Sequence, residues 1–291
     1  MNSFSGINPG SIMMVSGCVP GTRLYGGGLR APRIFFIGDG KMKRVCIFVD
    51  GENFRKSIVA LFPNFNQAQY LPRGKWDALF NGLAGKVGDP AYDRVERVRT
   101  YWYVVDKMDF YPYEYDPDKN SPEDLKRLFS KYAPFKARLD GLSSSKLETE
   151  IKRIAEELAA EEIKMSHRFQ VWTRIQEGIK SKNCAVEFRR AGAICYQLFD
   201  HQFGIEKAVD VKLATDLLLL KSNYDVAIIV SGDQDFVPAV EEVKNAGKRV
   251  INVVFRERGG NLLPGGAWRL NLATDDKIEV TASELSKYLK V

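Results

Sequence analysis

Short apolar segments rich in β-branched residues recur along the chain, and their length and composition predict buried strands. The clearest of them cover residues 43–49 (KRVCIFV), 95–105, 185–189, 226–230 (VAIIV) and 250–255 (VINVVF). Residues 194–199 predict a further strand or the arm of a hairpin. Each segment is too short for a helix of ordinary length, so a sheet is expected to form the centre of the fold.

Helical segments separate these strands. The first is expected after Asn53, a residue type suited to capping a helix. Others are predicted over residues 75–84, 209–220 and 234–246, and Gly247 is placed to end the last of them. Because strands alternate with helices, the sequence predicts an α/β fold with a mainly parallel sheet covered on both faces.

A long helical region is predicted between the second and third strands, over residues 122–182. Apolar residues repeat within it at helical spacing, at Leu147, Ile151, Ile154 and Leu158. The amphipathic helix near 144–164 favours packing or a homodimer contact over a role as a nucleic-acid clamp.

Composition narrows the class of protein. With 45% hydrophobic and 27% charged residues the chain is typical of a globular protein. No apolar run reaches the roughly 18 residues of a membrane helix. The formal net charge is +6, and the excess lies in residues 1–105, which hold 14 basic and 7 acidic side chains. A mild basic excess is compatible with a nucleic-acid partner but does not establish one.

Cysteine and histidine usage argues against a zinc or redox centre. The four cysteines, at 18, 46, 184 and 195, form no C-x-x-C pair. Reduced thiols in a cytoplasmic protein are the expected state. The two histidines, His167 and His201, are too few for a histidine-rich metal site.

Acidic residues follow two of the predicted strands. Asp50 ends the first (IFVDGEN), and Asp233 and Asp235 come just after the strand at 226–230 (IIVSGDQDF). In parallel sheets, ligands bind at the carboxyl ends of strands. If these two strands are neighbours, their ends lie about 5 Å apart and three carboxylates converge. Such carboxylates repel one another, and a divalent cation relieves the repulsion.

The apolar helix at 209–220 adds two further acids. Asp210 lies at its start, where its charge favours the helix dipole. Asp216 lies among leucines, where a bare carboxylate is costly. It needs a partner, either a metal-bound water, a backbone donor or Lys212 four residues earlier. All these candidate ligands are oxygen donors, which suit Mg²⁺ or Mn²⁺ better than zinc.

Each acid also has an ordinary structural interpretation. An aspartate after a strand is commonly a turn or cap residue. By itself Asp210 fits a cap better than a ligand, Asp235 fits the first residue of the following helix, and Lys212 fits a surface partner of Asp216. The metal-site hypothesis therefore depends on the conjunction of two acid-ended strands with an acid-bearing apolar helix.

Three blocks of sequence, IFVDGENF, KAVDVKLATDLL and AIIVSGDQDFVPAVEEVKNAGKRV, resemble the NYN domains of the PIN-like nuclease superfamily, in particular the LabA-like branch. They occur in that family's order, apart from a long insertion between the first and second. The resemblance covers residues 43–105, 167–255 and the closing segment to about 280. It implies a PIN-like Rossmannoid three-layer sandwich with sheet order 3-2-1-4-5, and a metal-dependent ribonuclease activity.

The resemblance also assigns residue roles. Asp50, Asp210, Asp233 and Asp235 match the positions of catalytic metal ligands or their close supports. Asn53, Asp216 and Ser231 match supporting groups that hold the metal ligands or position water. Lys212 is the fourth supporting residue and would contact phosphate or tune Asp210 and Asp216.

The chain departs from a minimal NYN domain in a helical insertion at about 107–166 and in a glycine-rich loop at 259–266. The expected organisation is a flexible leader over 1–41, a nuclease domain over 42–280 that contains the insertion, and a C-terminal helix over 281–291. Aromatic side chains at the start of the insertion are expected to pack against it, with base stacking as the alternative: Phe110, Tyr111, Tyr113 and Tyr115.

The leading hypothesis is a cytoplasmic metal-dependent ribonuclease, in which water activated by Mg²⁺ or Mn²⁺ and held by the aspartates hydrolyses single-stranded or structured RNA. Basic residues from 43–105 would position the RNA backbone. One alternative is a non-catalytic NYN module that binds RNA or a protein partner. The other is a metal-dependent phosphatase that acts on nucleotides.

Overall fold

A computed structural model of the chain describes residues 42–66, 70–88, 94–263 and 267–291. They belong to one compact unit, Gly40–Val291. The expected leader over 1–41 lies outside the described residues, as does part of the glycine-rich loop. The strands are β1 Lys43–Asp50, β2 Arg73–Gly74, β3 Val95–Tyr111, β4 Val186–Gln197, β5 Gln202–Lys207, β6 Val226–Val230, β7 Arg249–Arg256, β8 Leu262–Leu263, β9 Asp276–Thr281 and β10 Leu289–Lys290. The helices are α1 Gly51–Leu61, α2 Trp76–Gly85, α3 Pro122–Phe129, α4 Ala133–Leu139, α5 Ser144–Lys182, α6 Val209–Leu219, α7 Val237–Asn245, α8 Trp268–Ala273 and α9 Ala282–Leu285.

The central sheet has the order β5-β4-β3-β1-β6-β7-β8, and β9 pairs with β7. Within it, β4, β3, β1, β6, β7 and β9 run parallel, whereas β5 and β8 are antiparallel additions. Numbered along the chain, the five central strands have the predicted order 3-2-1-4-5. The mainly parallel α/β sandwich is therefore confirmed and is consistent with a PIN-like fold.

Alternation along β1 divides the core between two faces of the sheet. Val45, Ile47 and Val49 face one core cluster, which includes apolar residues of α1, α2 and the second half of α5. Cys46 and Phe48 face the other, which is built from α6, α7 and α8. Because both faces are covered, β6 and residues 45–49 of β1 are continuous apolar runs rather than alternating with polar residues.

The strands at the β5-β4-β3 edge of the sheet extend further than predicted. Strand β3 does not end at Asp106 but continues to Tyr111, since it pairs with β4 from Thr100 to Tyr111. The two pieces expected at 185–189 and 194–199 are one strand, β4, followed by the unpredicted strand β5. Gly192 joins the pieces with a φ of +61°, and a Cβ there would overlap the Lys207 carbonyl oxygen.

The helical region predicted over residues 122–182 is confirmed as α3, α4 and α5, whereas the insertion predicted at about 107–166 has other bounds. Residues 107–111 belong to β3, and α5 is a single 39-residue helix that runs past 166 to Lys182. Its amphipathic face packs on α3 and α4 through buried Ile151, Ile154 and Leu158. The predicted packing role is confirmed, because the chain itself covers this face.

Three local predictions need correction. The cap of α1 is Asp50 rather than Asn53, because the Asp50 carboxylate accepts a hydrogen bond from the Asn53 amide. The segment at 234–246 begins as a 3-10 turn before α7 starts at Val237. The expected C-terminal helix is only α9, after which β10 pairs with β2 and buries Leu289 in the core.

Candidate active site

The candidate site lies at the carboxyl ends of β1 and β6. These strands pair in parallel, with Val49 opposite Val230, so Asp50 and the segment starting at Ser231 emerge side by side. The sequence predicted that these ends would meet if the strands were neighbours, and they are neighbours.

Asp50 is held by neutral donors. Its Oδ1 accepts from the Asn53 amide at 3.1 Å, and its Oδ2 accepts from Ser231 Oγ at 2.7 Å and from Asn53 Nδ2. Burial raises the pKa of Asp50, which is 2% exposed, and repulsion from Asp233 acts in the same direction. The hydrogen bonds from Ser231 and Asn53 oppose that rise but do not cancel it.

Ser231 links the two strand-end acids. Its buried hydroxyl donates to Asp50 and accepts from the backbone amide of Asp233 at 3.1 Å. Asp233 Oδ1 in turn accepts from the Asp235 amide at 2.9 Å, which caps the 3-10 turn. The predicted supporting residues Ser231 and Asn53 therefore orient the carboxylate of Asp50.

A cavity of about 520 Å³ opens between these residues, the start of α1, β5 and the start of α6. Five of its lining residues are acidic: Asp50, Glu52, Glu206, Asp210 and Asp233. The others are Asn53, Arg55, Lys56, Ile194, Phe203 and Gly204. Three of the predicted acids thus share one cavity.

Burial raises the pKa of Asp210 to about 6, with further contributions from the charges of Asp50, Asp233 and Asp235. Lys56 acts against this rise. The electrostatic effect of three other acids on one carboxylate indicates a concentrated negative field.

Glu206 is a further acid of the cavity that the sequence did not reveal. Burial, followed by repulsion from Asp50, Glu52 and Asp210, raises its pKa to about 7. Glu206 lies on β5, the edge strand that was not predicted. In the sequence, only its position four residues before Asp210 suggests that it belongs to the site.

Asp216 has a different environment from the other acids. Its carboxylate accepts from Arg189 Nη1 at 2.7 Å, Lys212 Nζ at 2.9 Å and the Tyr103 hydroxyl at 3.1 Å. Burial alone would raise the pKa of Asp216, but the hydrogen bonds from Lys212 and Arg189 hold it below its usual value. Of the three kinds of partner considered for Asp216, the structure shows Lys212, and it adds Arg189 and Tyr103, which the sequence did not indicate. This ion-paired cluster anchors α6 to β3 and β4.

Asp235 lies at the margin of the site. It is exposed and lines a separate cavity between α7 and α8, together with Pro238 and Arg269. Its amide binds Asp233 and its charge raises the pKa of Asp210, so it affects the acid cluster without lining the cavity.

The acid cluster fits a hard divalent cation in its donor chemistry. In the described part of the chain, no lysine or arginine forms an ion pair with Asp50, Asp210, Asp233 or Glu206. Burial, followed by repulsion from neighbouring carboxylates, raises the pKa values of three of them. Carboxylate oxygens are the ligands that Mg²⁺ and Mn²⁺ prefer. Among the described residues, however, no three His, Cys, Asp or Glu side chains converge closely enough to hold one ion.

Aromatic residues of the insertion are divided between packing and exposure. Phe110 and Tyr115 are partly buried against the α3–α5 cluster, as expected. Tyr111 and Tyr113 are 38% and 69% exposed and form an edge-on pair.

None of the helices that the structure describes is both long and apolar enough to cross a bilayer.

Comparisons with known proteins give one family match. The family model described as the NYN domain matches residues 137–262. The match contains Asp210, Asp216, Asp233 and Asp235, whereas Asp50 lies before it. The matched range is less than half of the 291 residues, so it shows a similarity to the NYN domain over this part of the chain.

No curated protein matches the sequence. A solved structure of a protein of unknown function from Vibrio parahaemolyticus resembles the chain, with a TM-score of 0.36 and 14% sequence identity. The similarity covers 82% of this chain and 93% of that one, and at this level it has no bearing on function.

Proposed function

We propose that the chain is a divalent-cation-dependent ribonuclease of the LabA-like branch of NYN domains. The observation that carries the proposal is the cavity that Asp50, Asp210 and Asp233 line together, none of them ion-paired with a lysine or arginine among the described residues. The NYN match over residues 137–262 supports nuclease chemistry and an RNA substrate.

Asp50, Asp210 and Asp233 would hold Mg²⁺ or Mn²⁺, with Asp235 in support and Glu206 as an additional donor. A bound cation would supply activated water and neutralise charge on the phosphodiester during in-line displacement. Ser231 and Asn53 would fix the orientation of the Asp50 carboxylate through the hydrogen bonds already described. Such supporting hydrogen bonds are typical requirements of metal sites.

Lys56 is our candidate for contacting a phosphate of the substrate. It lines the cavity, its side chain is 67% exposed, and its ammonium lies 3.8 Å from Glu52 Oε1. Arg55 is less suited, because its guanidinium makes two hydrogen bonds to Glu52, at 2.9 and 2.8 Å. Residues 43–105 would thus contribute a phosphate contact through α1.

The test compares carboxylates that line the cavity with a carboxylate at the opposite end of β6. The full chain, Asp233→Asn and Asp210→Asn are incubated with labelled single-stranded RNA and manganese. The matched control is Asp225→Asn, since Asp225 precedes β6 at the opposite end and pairs with Arg44 at 3.1 Å. We expect cleavage by the wild type and the control, and at least a 100-fold loss in the two site variants. Equal cleavage by wild type and Asp233→Asn would refute the proposal.

The same experiment separates the alternatives. Tight RNA binding without turnover in Mg²⁺, Mn²⁺ or Ca²⁺ would favour a non-catalytic module, an interpretation consistent with the lack of a three-residue convergence among the described acids. Phosphate release from mononucleotides without cleavage of RNA would favour a phosphatase.

A further inference from the structure

Phe203 is an aromatic side chain at the candidate site that neither the motifs nor the acids account for. It lies on β5, lines the same cavity as Asp50, Asp210 and Asp233, and is 40% exposed. A partly exposed ring that borders a polar cavity has hydrophobic surface available to a ligand.

Two buried aromatic side chains support this ring from the protein side. The Phe203 centroid lies 5.9 Å from that of Trp172, at an interplanar angle of 35°, and 5.1 Å from that of Tyr196, at 65°. Trp172 and Tyr196 are 7% and 3% exposed. Packing fixes the orientation of Phe203, so a ligand that stacks on it pays little to order the side chain.

The remaining lining of the cavity combines apolar and charged groups. Ile194 adds apolar surface, and the carboxylates and Lys56 provide charge. The cavity has a volume of about 520 Å³. Its aromatic side chain, the ammonium of Lys56 and the acids suited to a divalent ion match the parts of a nucleotide. The base is flat and apolar on its faces, and the phosphate is anionic.

We propose that Phe203 is a stacking platform for the base of a nucleotide next to the scissile phosphate, so that the site takes unpaired RNA. In a duplex both faces of a base are covered by neighbouring bases, and only an unpaired base can stack on a protein ring. The inference rests on the proposed function for the position of the phosphate. Phe203 is a specificity-determining residue in this view, because it selects single-stranded over duplex substrate.

Binding rather than cleavage is the primary measurement. A fluorescently labelled oligouridylate is titrated with the full chain in Ca²⁺, and a gel confirms that the RNA stays intact. Phe203→Leu is compared with Phe203→Trp, which keeps an aromatic ring, and with Trp268→Leu, which removes an aromatic side chain that is 61% exposed and does not line the cavity. Thermal melting confirms that each variant is folded.

We expect Phe203→Leu to weaken binding about fivefold or more, in line with the energy of stacking one base. Phe203→Trp and Trp268→Leu should bind within about twofold of wild type, and duplex RNA of the same sequence should bind equally to wild type and Phe203→Leu. A series of oligonucleotides, each lacking one base, should contain one for which wild type and Phe203→Leu bind alike.

The outcomes distinguish this inference from the proposed function. Binding that depends on Phe203, without cleavage in Mn²⁺, would refute the ribonuclease and leave the stacking platform standing. Cleavage with no difference between Phe203→Leu and Trp268→Leu would overturn the platform and leave the ribonuclease standing. Failure of the wild type to bind any single-stranded oligonucleotide would overturn the platform as well.

Discussion

Replacing Asp210 with asparagine should stabilise the metal-free protein at pH 8. The pKa of this carboxyl group is raised from its ordinary value of 3.8 to about 6, so its ionised form is unfavourable in the folded state. Each pKa unit corresponds to about 1.4 kcal/mol, which sets an upper limit of about 3 kcal/mol. Solvent screening of this partly exposed side chain reduces the expected gain to about 1–2 kcal/mol.

The sign of the pH dependence follows from the direction of the shift. With a raised pKa, the folded state binds the proton more tightly than the unfolded state does. The stabilising contribution of Asp210 is complete below pH 3.8 and is lost as the pH rises through about 6. The advantage of Asp210→Asn should therefore be absent near pH 4, grow as the pH rises towards 6, and be complete above about pH 6. Loss of the favourable interaction with the α6 dipole, about 0.5 kcal/mol, is too small to reverse it.

Urea unfolding in EDTA at pH 4 and pH 8, monitored by circular dichroism, measures this difference. Asp225→Asn is the matched control with the opposite sign. Its side-chain hydrogen bond to Arg44 lowers the pKa of Asp225 to about 2, so its removal should destabilise the protein at pH 8. If Asp210→Asn is no more stable than wild type at pH 8, or if its advantage is the same at both pH values, the acid cluster does not repel as described.

Divalent cations should reverse the order of stability. A ligand that binds only the folded state at 100 times its Kd stabilises by about 2.7 kcal/mol. Manganese should therefore raise the unfolding free energy of wild type and have little effect on Asp210→Asn. An equal response of both proteins would show that Asp210 does not contribute to cation binding.

Three further substitutions test other parts of the structure. Asp216→Asn should destabilise the protein by about 3 kcal/mol in urea unfolding, because Arg189 and Lys212 lose the buried carboxylate that they share and Arg189 keeps only Glu187. Ser231→Ala should weaken manganese binding in calorimetry at least about tenfold while the fold survives, because Asp50 loses its oriented donor. Gly192→Ala should lower the unfolding free energy by more than about 2 kcal/mol, because φ is +61° and a Cβ has no room. No change in melting temperature for Gly192→Ala would contradict the described geometry of β4.

The parts of the fold that the sequence predicted are those whose signal is local. Strand β6 is a five-residue apolar run and was placed correctly, and Gly247, with a φ of +76°, ends α7 as its residue type predicts. The sheet order came from the family resemblance rather than from periodicity. That order places β1 beside β6, and so places Asp50 and Asp233 at neighbouring strand ends.

The parts that were missed depend on pairing between distant segments. The polar second half of β3 is a strand because β4 pairs with it, a contact between residues about 86 positions apart, as for Lys107 and Ala193. Strand β5 exists because β4 offers it an edge. Since β5 was not predicted, neither Glu206 nor Phe203 could be assigned to the cavity. Nonlocal pairing thus determined which functional residues escaped sequence analysis.

Two buried aspartates show why burial alone does not identify a metal ligand. Asp50 and Asp216 are each 2% exposed, yet the pKa of Asp50 is raised and that of Asp216 is lowered. Asp50 faces a serine, an asparagine and a further carboxylate, whereas Asp216 faces the cations of Arg189 and Lys212. A bound cation would neutralise the charge of Asp50, whereas Arg189 and Lys212 already neutralise the charge of Asp216. The apolar setting that marked Asp216 in the sequence therefore identifies a buried ion pair, and the charge of the surrounding residues separates that role from ligation.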